Sequence, residues 1–188
     1  MDISEIPFNM NIEIADDLRE VPVDTDQMHR GINFLKEAAS EESEELIKAK
    51  IFSHIGFYSR IVFELNQSHD FYEQSIALYE KHKKKLSAFS VKIRLAVTYQ
   101  WMGKFAKADS FFHHALEVCR SSNEKKVQKF EVTILEYYGK CKFEQHSISK
   151  AEELLTDALE IRIISGDLEL INQAQHALTI VTRRLAKD

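Results

Sequence analysis

The chain has 188 residues, of which 44% are hydrophobic and 29% are charged. This composition is typical of a folded globular protein and excludes a disordered chain. The net charge of −5 argues against a nucleic-acid binder, because such a protein needs a basic surface to displace phosphate counterions. No apolar run approaches the roughly 18 residues of a membrane span, and the first residues lack the basic region of a secretory signal. We therefore expect a cytoplasmic protein that binds neither nucleic acid nor membrane.

Residues 1–24 differ in composition from the rest of the chain. They contain both prolines and seven acidic residues, but only one basic residue, Arg19. Their apolar side chains are suited to pack on the helix that follows. These are Phe8, Met10, Ile12, Ile14 and Leu18. We predict a partly ordered N-terminal arm over residues 1–24 and a helical domain over residues 25–188.

Helical patterns fill that domain, since no proline interrupts the chain after Pro22. The periodicity predicts helices near 25–39, 41–64, 68–85, 87–102, 105–121, 124–145, 148–165 and 167–186. Asp24-x-x-Gln27 and Ser121-x-x-Glu124 have the pattern of capping boxes, and Ser40 precedes four acidic residues that suit the start of a helix. Gly103 and Gly166 are predicted at turns between helices.

The helices repeat in sequence. Gly56, Ala96 and Gly139 occupy matching positions 40 and 43 residues apart, and the small residues Ala108 and Ala115 recur 43 residues later as Ala151 and Ala158. Self-similarity at this period indicates an α-solenoid, whose units bury their apolar faces only against neighbouring units. The four alanines are predicted to be buried where helices cross.

The recurring residues resemble the tetratricopeptide repeat. Residues 89–120 supply most of the family pattern, from Leu95-Ala96 through Tyr99, Gly103 and Phe105 to Ala108, Phe112, Ala115 and Leu116. Residues 132–163 and 49–80 match less well. The usual repeat has 34 residues, so the longer repeats here are similar to those of bacterial peptide-sensing regulators, maltose-activator-type transcription factors and kinesin light chains. The resemblance implies an all-α, right-handed α-α superhelix of three antiparallel helix pairs with a C-terminal capping helix.

In this family the first helix of each pair lines a concave groove that holds the ligand. Carried over to this chain, the partner-binding positions are Phe57, Arg60, Ile61, Ile93, Val97, Gln100, Trp101, Glu136, Lys140 and Phe143. The set combines apolar and charged side chains, as a groove for a peptide or helix does. Trp101 has an alternative place, packed between repeat units. The clamp that holds a chaperone's terminal carboxylate is absent, because its positions hold Ser53, Phe57, Arg94, Thr133 and Tyr137.

The sequence lacks the patterns of catalytic and metal sites. Eight histidines occur, yet none has a His-x-x-x-His spacing, and no Cys-x-x-Cys pair, nucleophile elbow or phosphate loop is present. Cys119 and Cys141 are predicted to be reduced thiols, with a disulfide as the alternative. We therefore expect neither metal, cofactor nor enzymatic activity.

Two functions from different classes fit these observations. The first is a non-catalytic scaffold that binds a protein or peptide in the groove. The alternative is a regulatory sensor or adaptor, in which a peptide ligand changes the solenoid and so controls a separate effector protein. The final helix has no partner after it, so a homodimer through this helix is a further expectation.

Overall fold

The computed structural model describes residues 5–185, and most of them are helical. The elements in chain order are β1 (Ile12–Ile14), β2 (Glu20–Pro22), α1 (Thr25–Glu41), α2 (Glu45–Ile61), α3 (Leu65–Lys81), α4 (Lys85–Trp101), α5 (Phe105–Ser121), α6 (Lys125–Gln128), α7 (Glu131–Glu144), α8 (Ile148–Ser165) and α9 (Leu168–Leu185). The predicted helices are confirmed with boundaries shifted by up to four residues, except that the one expected over 124–145 is divided into α6 and α7. The last residue of the helix expected over 167–186 lies outside the described residues. The described chain forms two compact units. The first runs through Ala15 and from Arg19 to Met102, and the second contains Asp16–Leu18 and the chain from Gly103 onward.

In the first unit, consecutive helices from α1 to α4 pack against one another. The core between α1 and α2 is formed by buried apolar residues, with Ile6 of the N-terminal arm added to them. These are Met28, Ile32, Leu35, Ala39, Ile51, Ile55, Tyr58 and Ile61. A second cluster joins α3 to α4 through Tyr72, Ile76, Val91 and Leu95. Helices α2 and α3 approach closely at Gly56, where an added Cβ would lie 2.8 Å from the ring of Tyr72.

The second unit repeats this arrangement with α5, α7, α8 and α9, which pack in that order. Gly139 has the same role as Gly56, because a Cβ there would lie 2.7 Å from Cγ of Leu155. The four repeated alanines are buried as predicted: Ala108, Ala115, Ala151 and Ala158. The core around α8 and α9 contains Ile148, Ala151, Leu155, Ala177 and Val181, and Leu18 of the arm belongs to it.

The turns between helices explain the repeat length. Helices α2, α3, α4 and α5 each have 17 residues and begin 20 residues apart, which gives the 40-residue repeat. The second residue after the helix has positive φ at Phe63, Lys83, Gly103 and His146. Only glycine adopts this conformation without strain. The longer repeat of 43 residues includes α6 in the connection between α5 and α7.

One of the two predicted capping boxes is confirmed at its N-cap residue. The N–H of Gln27 donates to Oδ1 of Asp24 at 2.9 Å, so Asp24 caps α1. The Ser121 box is wrong, because Ser121 ends α5 and its hydroxyl donates to the Glu117 carbonyl at 2.7 Å. Ser40 does not start α2 either. It lies in the last turn of α1, where its hydroxyl donates to the Glu37 carbonyl at 2.7 Å.

The arm is more ordered than its composition indicates. Strands β1 and β2 form an antiparallel hairpin, with Ile12 opposite Pro22 and Ile14 opposite Glu20. Strand β1 is exposed, whereas Glu20 in β2 is buried. The arm therefore contributes a structured element that the helical pattern of the chain does not predict.

Candidate functional site

A buried ion pair lies where β2 meets α2 in the first unit. Nη1 of Arg60 donates to Oε2 of Glu20 at 2.9 Å. The Arg60 side chain is 0% exposed and the Glu20 side chain 9% exposed. A charge-assisted hydrogen bond in such a dry place is strong and geometrically specific, and the loss of one partner costs more than at the surface.

Aromatic rings surround the two arginines of this region. Cζ of Arg60 lies 4.8 Å from the ring centroid of Trp101 and 5.4 Å from that of Phe57. Cζ of Arg19 lies 5.2 Å from Trp101 and 5.5 Å from Phe63. Guanidinium groups at these distances are attracted to the negative face of an aromatic ring. We name Arg60, Phe57, Phe63 and Trp101 the α2–α4 cluster.

The repeat itself brings this cluster together. Phe57 and Arg60 lie in the last turns of α2, Phe63 follows in the turn with φ of 62°, and Trp101 is the final residue of α4. Since α4 and β2 both contact α2, the ends of two inner helices meet the extended segment at one place. Arg60 also lies at a helix C-terminus, where a positive charge is favoured by the helix dipole.

Seven of the ten residues that the resemblance assigned to a groove are in the first unit, and most of them are not accessible. Ile61 belongs to the core between α1 and α2 and is buried there. Ile93, Val97 and Gln100 are buried as well. Trp101 is 7% exposed, so its ring is covered rather than open. Phe57 is half-buried.

The other three assigned residues are in the second unit. Both oxygens of Glu136 accept hydrogen bonds from Arg162, at 2.8 and 2.9 Å. This bonding raises the pKa of the Arg162 guanidinium above its usual value. Lys140 is half-buried, and Phe143 packs on the core around α8. Glu136 therefore forms an ion pair between α7 and α8. Because its carboxylate is already bonded, this unit has one fewer charged group available to bind a partner.

Three residues at this site are not among those that the repeat pattern predicts: Arg19, Glu20 and Phe63. The charge pattern of residues 1–24 gives a partial indication of the first two, because Arg19 is the single basic residue of this acidic segment and Glu20 lies beside it. Phe63 lies within residues 49–80, which match the repeat pattern less well. Its ring centroid lies 5.1 Å from that of Trp101, a contact that no sequence spacing indicates.

Both cysteines are free and buried. Burial raises the pKa of the Cys119 thiol to about 11 and that of Cys141 to about 12, from an ordinary value of 9.0. The sulfur of Cys141 also accepts a hydrogen bond from Nε2 of Gln145 at 3.2 Å. A thiol in this state is a poor nucleophile, because the thiolate is the reactive form.

We expect both thiols to resist iodoacetamide at pH 8 in the native protein and to react in urea. Above about pH 9 the unfolded chain loses the thiol protons first, so folding stability should decline as pH rises toward the raised pKa values. Urea unfolding of the parent and of a Cys119→Ala, Cys141→Ala variant at pH 8 and pH 10.5 tests this. The variant should lose less stability over that interval; an equal loss would contradict the assignment.

Residues 5–185 contain neither a metal-binding cluster nor a membrane-spanning helix. No group of three or more His, Cys, Asp or Glu side chains in that range is arranged to hold a metal ion. None of the helices there combines the length and the apolar character that a membrane span requires.

Comparison with known proteins agrees with this description. Residues 87–164 match the family model described as tetratricopeptide repeat. The structure is similar to BtubC (BKLC) from P. vanneervenii, with a TM-score of 0.62 and 17% identity over 85% of this chain and 66% of that chain. It is also similar to the nearly identical TPR-like repeats of a Podosopora anserina protein assigned as a kinesin light chain, with a TM-score of 0.59 and 14% identity over 86% of this chain and 81% of that one.

A search of curated proteins finds no match. The helix order, the close approaches at Gly56 and Gly139 and the buried alanines are the features that the family pattern implies. Residues 87–164 therefore match the tetratricopeptide repeat model, and the chain has the tetratricopeptide-like helical-repeat fold.

Proposed function

We propose that the protein is a non-catalytic cytoplasmic scaffold that binds a protein or peptide on the inner helices of its repeats. The groove positions of the first unit would contribute Phe57, Arg60 and Trp101, and those of the second unit would contribute Lys140 and Phe143. Tetratricopeptide repeats generally mediate protein–protein interactions, which supports this class of function. Trp, Tyr and Arg are also the residue types that most often dominate binding energy at interfaces.

One observation carries the proposal. An extended segment, β2, already lies against α2, and its Glu20 carboxylate pairs with Arg60 beside the rings of Trp101 and Phe57. The α2–α4 cluster thus has the chemistry to hold an extended peptide with a carboxylate. Recognition of extended segments through a few anchored side chains is a recurrent mode of peptide binding.

The contact of β2 with α2 also supports the alternative function, a regulatory sensor or adaptor. A site that is covered by part of its own chain can exist in a covered and an open state. A ligand that binds only the open state shifts the population toward it.

A homodimer through the C-terminal helix stays a prediction. Apolar side chains are exposed near the turn between α8 and α9: Ile163, Ile164 and Leu168.

The test of the scaffold function begins with capture of a partner from the native cell by the tagged full chain, followed by mass spectrometry. Arg60→Lys keeps the charge but loses the planar group that pairs with a carboxylate and stacks on rings. We expect it to weaken binding of the purified partner about tenfold. Lys140→Glu should slow association and alter its salt dependence.

The matched control is His113→Ala, on an exposed part of α5, which should bind like the parent. Isothermal titration and surface plasmon resonance at two salt concentrations provide the measurements. Equal binding by all four proteins, or a loss confined to His113→Ala, would show that the partner contact lies elsewhere.

A further inference from the structure

The arm is attached to the first unit at two separate places. Its first part is anchored on α1, where Ile6 joins the core and Phe8 packs edge-on against Phe34 at 6.4 Å. Cζ of Arg30 lies 4.8 Å from the Phe8 ring. A Cβ on Gly31 would collide with the sulfur of Met10, so the arm fits closely against the helix backbone. These apolar contacts hold residues 6–10 independently of β2.

The second attachment is chemically different. Residues 19–22 contact the α2–α4 cluster through a buried ion pair and a guanidinium placed near two rings. Strand β1, which pairs with β2, leaves Ile12 and Ile14 exposed at 39% and 41%. A two-stranded hairpin has little stability of its own in water. The seating of β2 therefore depends on Arg19 and Glu20 and on the adjacent Leu18, which is buried in the core around α8 and α9. Opening of this segment would release residues 18–22 while residues 6–10 stay anchored.

Charge indicates which external segments can replace β2. The cluster presents the Arg60 guanidinium, with Cζ of Arg94 5.6 Å from the Phe57 ring. A segment that binds there must supply a carboxylate to Arg60, since an apolar replacement would lose a buried charge-assisted hydrogen bond. The arm, with seven acidic residues before α1, has this acidic character.

We propose that residues 19–22 are an intramolecular ligand of the α2–α4 cluster, and that the protein's partner is an acidic extended peptide that displaces them. The proposal rests on the proposed function and specifies the ligand: a carboxylate for Arg60 next to a cationic or aromatic residue that contacts Trp101 and Phe63. The arm competes with this ligand at the high local concentration of a tethered segment.

The probe for this proposal is a fluorescein-labelled synthetic peptide with the sequence of residues 11–24, added to the full-length chain. A short tether gives an effective concentration on the order of 1 mM, so the parent chain should bind the peptide no more tightly than about that value. The Glu20→Gln chain, whose own arm is weakened, should bind it at least tenfold more tightly by fluorescence anisotropy. A peptide carrying Glu20→Gln should lose at least tenfold in affinity for the same chain.

Trp101 provides an independent readout, because it is the one tryptophan in the sequence. Its emission should move to longer wavelength and be quenched more easily by acrylamide in the Glu20→Gln chain. Saturating peptide should restore both properties. The second variant, Arg19→Met, removes the guanidinium near the Phe63 and Trp101 rings but keeps the ion pair of Glu20 with Arg60. Peptide affinity and Trp101 emission should change as in the Glu20→Gln chain, but by a smaller amount.

Equal peptide affinity of the parent and both variants would overturn the proposal, as would a Trp101 environment that neither variant changes. The failure of the proposed function gives a different result. If a captured partner depends on Arg60 but binds the Glu20→Gln chain no more tightly than the parent, this inference fails and the scaffold function stands. If the peptide behaves as expected and no partner depends on Arg60, the arm is an intramolecular ligand and the proposed function fails.

Discussion

Phe112→Ala should lower the free energy of unfolding by about 3–5 kcal/mol, the usual cost of truncating a fully buried aromatic side chain. Phe112 lies in α5, is 0% exposed, and its ring is stacked on that of Tyr138 in α7 with 5.5 Å between centroids. The substitution removes that stacking and leaves a cavity between two helices. Urea unfolding followed by circular dichroism at 222 nm measures the loss.

The neighbouring residue offers a matched control. Phe111 has the same side chain on the same helix but is only half-buried, so Phe111→Ala should cost clearly less than Phe112→Ala. If both variants lose the same free energy of unfolding, the buried face of α5 is not the one that contains Phe112. The comparison therefore tests the register of α5 and not merely the presence of a helix.

Ala151→Leu should also destabilise the protein, by about 1–3 kcal/mol through overpacking. Ala151 is buried, and its carbonyl oxygen lies 3.4 Å from an ideal Cβ position at Gly139. The backbones of α7 and α8 are in such close approach that a leucine at this position requires the helices to separate. Thermal melting should show a clearly lower midpoint.

The control for this variant is Glu160→Leu, on the exposed side of the same helix. A surface substitution of this kind usually changes stability by no more than about 0.5 kcal/mol. Unchanged melting of Ala151→Leu, or an equal loss at both positions, would contradict the described packing of α7 against α8.

Local sequence determines most of the helical architecture of this protein. Apolar periodicity and the absence of proline after Pro22 indicate the helices, and the small residues at Gly56, Gly139 and the four alanines indicate where helices touch. These are properties of single helices and of neighbouring pairs in sequence, so the pattern predicts them well. The errors fall at boundaries, where Ser40 and Ser121 have residue types suited to helix starts but lie in the last turns of α1 and α5.

The predicted helix 124–145 is divided by a turn that its apolar pattern does not reveal. The residues between α6 and α7 form a turn, in which the N–H of Phe130 donates to the Val127 carbonyl at 3.0 Å. Nearby, Sγ of Cys119 lies 3.3 Å from the same carbonyl. The helix is thus interrupted where Cys119 of α5 contacts it, although the apolar spacing of residues 124–145 suits one continuous helix.

Three of the four residues of the α2–α4 cluster were predictable from the sequence, but Phe63 and the burial of Arg60 and Trp101 were not. The repeat register brings Phe57, Arg60 and Trp101 to the inner helices, as the family resemblance implies. Only tertiary structure places β2 against them, because the ion pair joins residues 40 positions apart in sequence. A contact of that range depends on the packed positions of α2 and α4 and has no local signature.

The sequence by itself therefore determined the repeat, the helices and the chemical character of the inner-helix positions, since these follow from spacing and residue type along the chain. Tertiary structure alone decided that an acidic arm forms a hairpin and pairs Glu20 with Arg60. The physical reason is that removing two charges from water is costly unless the pair has good geometry and its remaining polar groups are satisfied. Residues 40 positions apart reach that geometry only in the packed fold.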